Sequence, residues 1–137
     1  MAKDLIHDNV KQALLNDGWT ILDEHVRLDF GRYKLFADLS IERTLAVERD
    51  GRKILVEIKS FSERSLMRAL QQAIGQYRMY VDVVELTHLE YEVYLAVSKD
   101  VYDEFLSDNV IQQLIQRNGI QLIVINLEHE RVIQWIN

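Results

Sequence analysis

Residues 45–59, LAVERDGRKILVEIK, leave the backbone little choice. Asp50-Gly51 is a two-residue turn that closes an antiparallel hairpin, because both positions tolerate positive φ. Leu45–Glu48 must then pair with Lys53–Lys59. Side chains alternate along a strand. Ile54, Val56 and Ile58 therefore share one face, and Leu55, Glu57 and Lys59 share the other. The first face is wholly apolar and should pack on a helix. The second is apolar until its end, where an acid and an ammonium stand side by side. At a sheet edge that arrangement is an ordinary surface ion pair, worth about 0–1 kcal/mol. The triplet Glu-x-Lys gains meaning only from what surrounds it.

Elsewhere the periodicity reads as alternating helices and strands. Residues 3–16 place Leu5, Ile6, Val10, Ala13 and Leu14 at helical spacing, with Gly18 to end the helix. Residues 19–22 read as a short strand. Phe30-Gly31-Arg32-Tyr33 suggests a hairpin whose second strand runs from Tyr33 to Ile41. A long helix follows the lysine, with Leu66, Leu70, Ile74 and Tyr77 as its apolar stripe. Gly75 inside it suggests close packing against a sheet. Residues 91–98 form a strand, two short helices follow, and 120–126 and 131–136 are the last strands. The run from 91 to 126 has the length of a crossover between parallel strands. These elements predict one domain over residues 1–137, of mixed α/β (α+β) class. Its central mixed sheet contains an antiparallel meander and carries helices on both faces.

The chain has 137 residues, which suits one domain with a real core. It has no cysteine, which excludes disulfides and thiolate zinc sites and fits a cytoplasmic location. Asp4 and Asp8 precede any apolar stretch, so the amino terminus does not read as a secretory signal. No apolar run approaches the ~20 residues that span a bilayer, so no membrane is expected. The net charge of −6 argues against nucleic acid until its distribution is considered. Residues 1–26 carry two basic and five acidic side chains, 27–78 eleven and seven, and 79–137 three and ten. The middle third is therefore +4 and could meet phosphates locally, because screening limits charge effects to roughly 8–10 Å. The same pattern also fits a solvated surface.

An upstream strand-like stretch, KLFADLSI, contains Asp38. Two carboxylates meeting at neighbouring strand ends repel unless a cation lies between them. Mg²⁺ or Mn²⁺ suits such a place, since hard cations take oxygen ligands from one or two carboxylates and substrate phosphate. An adjacent lysine would stabilise negative charge or orient a water. Asp38, Glu57 and Lys59 are thus chemically coherent as a phosphodiester-cleaving site. None of His7, His25, His88 and His129 has the spacing of a zinc site.

This Asp…Glu-x-Lys pattern resembles the PD-(D/E)xK superfamily, with its restriction-endonuclease-like fold. The resemblance implies Asp38 as the first acid, Glu57 as the second, and Lys59 as the catalytic lysine. Glu42 and Glu48 compete with Asp38 for the first role. Gln76 and Tyr80 match a Q-x-x-x-Y element of several branches, and they share one helix face. Gln76 is taken as a catalytic-site residue, while Tyr80 is expected in the core. Some relatives place a further acid on the first helix, and Asp8, or less favourably Asp4, fills that place as a metal ligand. An acid there also suits the helix dipole.

A narrower resemblance is carried by HDNVKQALLNDGWTI at 7–21, ADLSIER at 37–43 and GRKILVEIKSF at 51–61. ALQQAIGQY at 69–77, YLAVSKDVY at 94–102 and ERVIQWI at 130–136 continue it in order. The chain resembles the fdxN element excision controlling factor H (XisH-type) family. That implies a small cytoplasmic protein of cyanobacterial type, required for site-specific excision of a DNA element. It also implies a separate recombinase and a companion excision factor of the I type as partners. Two readings follow. One is a DNA-acting, Mg²⁺- or Mn²⁺-dependent endodeoxyribonuclease. The other is a non-catalytic accessory or regulatory protein on a nuclease scaffold, bound to its companion. A homo-oligomer is a third prospect, through self-pairing of the last strand with Trp135 and Ile136.

Overall fold

A computed structural model describes residues 2–35 and 44–137, with side chains for 6–34 and 44–137. Its core is a six-stranded mixed sheet. In chain order the elements are α1 (Ala2–Asn16), β1 (Thr20–Glu24), β2 (Leu28–Phe30), β3 (Tyr33–Leu35), β4 (Thr44–Arg49) and β5 (Arg52–Ile58). Then come α2 (Leu66–Leu86), β6 (Glu92–Ser98), α3 (Lys99–Val101), α4 (Asn109–Arg117), β7 (Leu122–Asn126) and β8 (Arg131–Ile136). A π-helical turn, Tyr102–Leu106, continues α3. The sheet order is β1-β4-β5-β6-β7-β8, and β2 and β3 form a separate two-stranded sheet.

The β4–β5 hairpin forms as its turn dictates. Asp50 and Gly51 have φ of 53° and 82°, and Arg49 pairs with Arg52 across them. β5 pairs with β6, and β6 with β7, in parallel, while β1, β4 and β8 add antiparallel partners. The crossover expected between residues 91 and 126 is thus present. β1 begins at Thr20 because Trp19 is drawn into the core, where its ring lies 5.4 Å from that of Trp135.

Strand alternation divides the core in two. Ile54, Val56 and Ile58 pack with Ile6, Val10, Ala13 and Leu14 of α1. Leu55, Val93, Leu95 and Val97 pack with α2 and α4 on the other face. The buried stripe of α2 is Ala69, Leu70, Ala73, Tyr77, Tyr80, Val83 and Val84. This is rotated from the Leu66 and Ile74 stripe, both of which are only partly buried. Small alanines on that stripe let the helix approach the sheet. Gly75 has no such role: it is exposed, and an added Cβ would meet nothing within 4 Å. Tyr80 is in the core, as expected. Among the described residues no helix is long and apolar enough to cross a membrane.

Candidate functional site at the end of strand β5

β5 carries its two charges to the end of the face that looks at α2. Glu57 and Lys59 are 5% and 3% exposed, although both are ionisable. Burial at that level is costly for either charge unless it is matched. Lys59 is matched twice. Its Nζ lies 3.1 Å from Glu63 Oε2 and donates to Gln72 Oε1 at 3.3 Å. Its backbone N–H donates to the Ala96 carbonyl of β6, so the strand ladder fixes its position. Ser65 caps α2 by accepting from the Arg68 N–H, and so orients the helix that presents Gln72.

Between Lys59 and α2 the chain makes a constrained turn. Phe61 has φ of 55°, in the left-handed region that costs a bulky residue about 1–2 kcal/mol. Phe61 is nonetheless buried, with its ring 6.4 Å from that of Phe105. Core packing thus holds the turn that brings Glu63 back onto Lys59. Sequence spacing gave no sign of Glu63, because the contact depends on this turn. Gln72 was missed by one helical turn. Gln76 lies half-buried between Gln72 and Tyr80 on the same face of α2.

Tyr80 closes the far side. Its hydroxyl is buried and has no hydrogen-bond partner among the described residues. Burial pushes its pKa well above the ordinary tyrosine value, and the nearby charge of Glu57 raises it further. Tyr80 is therefore neutral at physiological pH and keeps its proton. Opposite Glu57 in register stands Thr44, also buried, whose hydroxyl donates to the Val26 carbonyl at 3.1 Å.

The remaining predicted residues fall as follows. Asp38 and Glu42 lie outside the described residues. Glu48 sits at the opposite end of β4, paired with Lys53, four residues from Thr44 and about 13 Å away along the strand. It does not meet Glu57. Asp8 is exposed on α1, in the layer on the other face of the sheet, and is not brought to Glu57. His7, its neighbour, is buried with Nε2 3.1 Å from Glu24 Oε1. Hydrogen bonds from Lys11 and His7 hold the Glu24 carboxyl below its ordinary value. Among the described residues no three His, Cys, Asp or Glu side chains gather to hold a metal ion.

Sequence and fold comparisons identify the lineage. A family model described as XisH protein matches residues 1–133. The chain belongs to the XisH family. An XisH family protein from Nostoc punctiforme PCC 73102 is similar at 31% identity, with 97% of this chain and 99% of that one covered and a TM-score of 0.88. An fdxN element excision controlling factor protein from Anabaena variabilis is similar at 32% identity, with coverage of 98% and 99% and a TM-score of 0.88. Comparison with curated proteins gives no match. The likeness to both XisH-family structures extends over nearly the whole chain, so strand β5 belongs to the shared fold.

Proposed function

We propose that this XisH-family chain acts on DNA during excision of a genetic element, through a nuclease-like site at the end of β5. The observation that carries this reading is the buried Glu57–Lys59 pair on one face, met by Gln72 from α2. A mixed sheet in which an acid and a lysine end the strand joined in parallel to β6 supports a restriction-endonuclease-like ancestry. The donor chemistry fits a hard cation: Glu57 offers carboxylate oxygen, with no thiolate near it. Glu57 and Asp38 would hold Mg²⁺ or Mn²⁺. A bound ion would neutralise phosphate charge and supply an acidified water. Lys59 would pass from Glu63 to a phosphate oxygen and stabilise the negative charge that develops there. Gln72, with Gln76 one turn on, would hold the ammonium in line. Tyr80, uncharged, would leave the charge of Glu57 undiluted.

The test is Mn²⁺ binding by calorimetry alongside nicking of supercoiled DNA. Glu57→Gln should abolish metal uptake and nicking. Lys59→Met should leave uptake in place and lower nicking on the order of 10²–10³-fold. Absence of metal uptake by the wild type sinks the reading.

A second reading is favoured by the 3.1 Å Lys59–Glu63 pair, which already neutralises the ammonium. In that reading the site is structural, and the chain is an accessory factor working with an I-type companion and a recombinase. Excision reconstituted with those partners would then survive Glu57→Gln.

A further inference from the structure

Among the described residues the β2–β3 hairpin is a two-stranded ribbon separate from the main sheet. Its register pairs Leu28 with Leu35, Asp29 with Lys34 and Phe30 with Tyr33. Paired residues share a face, so Leu28, Phe30 and Tyr33 lie on one side. Leu28 is buried in the core beneath α2. Phe30 and Tyr33 continue that apolar side past the edge of the core and are 43% and 65% exposed. The ribbon turns at Gly31, with φ of 61°, the first central position of a II′-type turn that favours glycine. Arg32 follows, its guanidinium 5.3 Å from the Tyr33 ring centre. Arg27 and Lys34 are also exposed, and Asp29, the only acid in residues 27–34, lies 3.8 Å from Arg27 Nε in an exposed ion pair and opposite Lys34 in register.

Two exposed aromatics at a ribbon tip, among three cations in a chain of net charge −6, suit a partner that is both anionic and flat-faced. We infer that the β2–β3 ribbon enters a groove of duplex DNA, with Phe30 and Tyr33 against the bases and Arg27, Arg32 and Lys34 on the phosphates. The dimensions agree. The three described residues of each strand span about 10 Å, and the major groove is about 8.5 Å deep and wide enough for a two-stranded ribbon. Apolar side chains of a ribbon in that groove meet the thymine methyl groups that line it.

The ribbon's root ties it to the β5 site. Val26 precedes β2 and packs beneath α2, and its carbonyl accepts from Thr44, the register partner of Glu57. The ribbon therefore grows from the face that presents Glu57 and Lys59. DNA held by it would run past that site. The inference rests on the DNA-acting reading but not on catalysis.

The test is equilibrium binding of the full chain to a fluorescein-labelled duplex, in EDTA so that no metal contributes. The single strand of the same sequence is the control, and salt is varied between about 50 and 200 mM. Phe30→Ala with Tyr33→Ala should weaken duplex binding about tenfold or more without changing the salt slope. Arg32→Ala or Lys34→Ala should each reduce that slope by about one. Asp29→Asn should tighten binding, a gain that misfolding cannot produce. Equal affinity of these variants and wild type overturns the inference while leaving the DNA-acting reading intact. Tighter binding of the single strand also overturns it. A wild type that binds no DNA in EDTA overturns the inference, and one that still binds none with Mn²⁺ added overturns the DNA-acting reading as well.

Discussion

The two ends of β5 hold ion pairs of opposite design. At its start, Arg52 grips Glu92 of β6 with two hydrogen bonds, of 2.9 and 2.8 Å, and both side chains reach solvent. At its end, Lys59 is buried and, among the described residues, makes one ion pair and one long hydrogen bond. The first pair has ideal fork geometry and low desolvation cost, so structure alone explains it. The second carries a large desolvation cost for few contacts, and an apolar pair of the same volume would be at least as stable. The proposed function rests on this difference, since the pair at the expensive end has no evident structural return.

Removing one partner from each pair should separate them, and the largest effect belongs to Glu63→Ala. Among the described residues it would leave Gln72 as the one hydrogen-bond partner of the buried Lys59 ammonium. Breaking a buried pair from one side costs about 3–5 kcal/mol, and because Glu63 is the partner nearer solvent, a loss of about 3 kcal/mol is expected in urea denaturation. Double replacement with Lys59→Met should recover much of it. A single-variant loss below about 1 kcal/mol would show that the two ends are alike after all.

The contrast between the ends was only half legible in the sequence. Asp50-Gly51 fixed the hairpin, and alternation placed Glu57 and Lys59 on one face, because both features depend on neighbours in the chain. The parallel β6–β7 pair followed from crossover length. What partners Lys59 was hidden. Glu63 arrives through the left-handed Phe61, a conformation a phenylalanine would not be expected to adopt unless the core imposed it. That Gln72 is the residue meeting Lys59 depends on how far α2 is rotated, and that is set by Ala69 and Ala73 lying against the sheet. Leucine and isoleucine spacing pulled the stripe toward Leu66 and Ile74, since alanine carries little weight in an apolar pattern. Glu48 looked equivalent to other acids until strand direction put it at the wrong end.

Tyr80→Phe probes the same end with a smaller expected change. A buried hydroxyl with no partner among the described residues gains nothing from folding and loses its hydration. The variant should be unchanged or more stable, by up to about 1 kcal/mol. Thermal unfolding checks this, and a loss of more than about 1 kcal/mol would reveal a partner for the hydroxyl outside the described residues.

Arg52→Ala tests the exposed end, where the smallest effect is expected. An exposed pair contributes about 0.5 kcal/mol, somewhat more with bidentate geometry, and the Arg52 guanidinium also lies 5.8 Å from the Trp19 ring. The pH dependence identifies the source. Hydrogen bonds from Arg52 hold the Glu92 carboxyl below its ordinary value. A lowered carboxyl adds stability above the ordinary carboxylate pKa and loses it as pH falls through the folded value. Wild type should therefore exceed Arg52→Ala at neutral pH, and the gap should close in acid. High salt should narrow it too, because both side chains are in water. The Glu63→Ala gap should resist salt, since Lys59 is shielded from it. If both gaps shrink equally in salt, the difference in burial between the two ends has no energetic consequence, and the case for a functional site at Lys59 weakens with it.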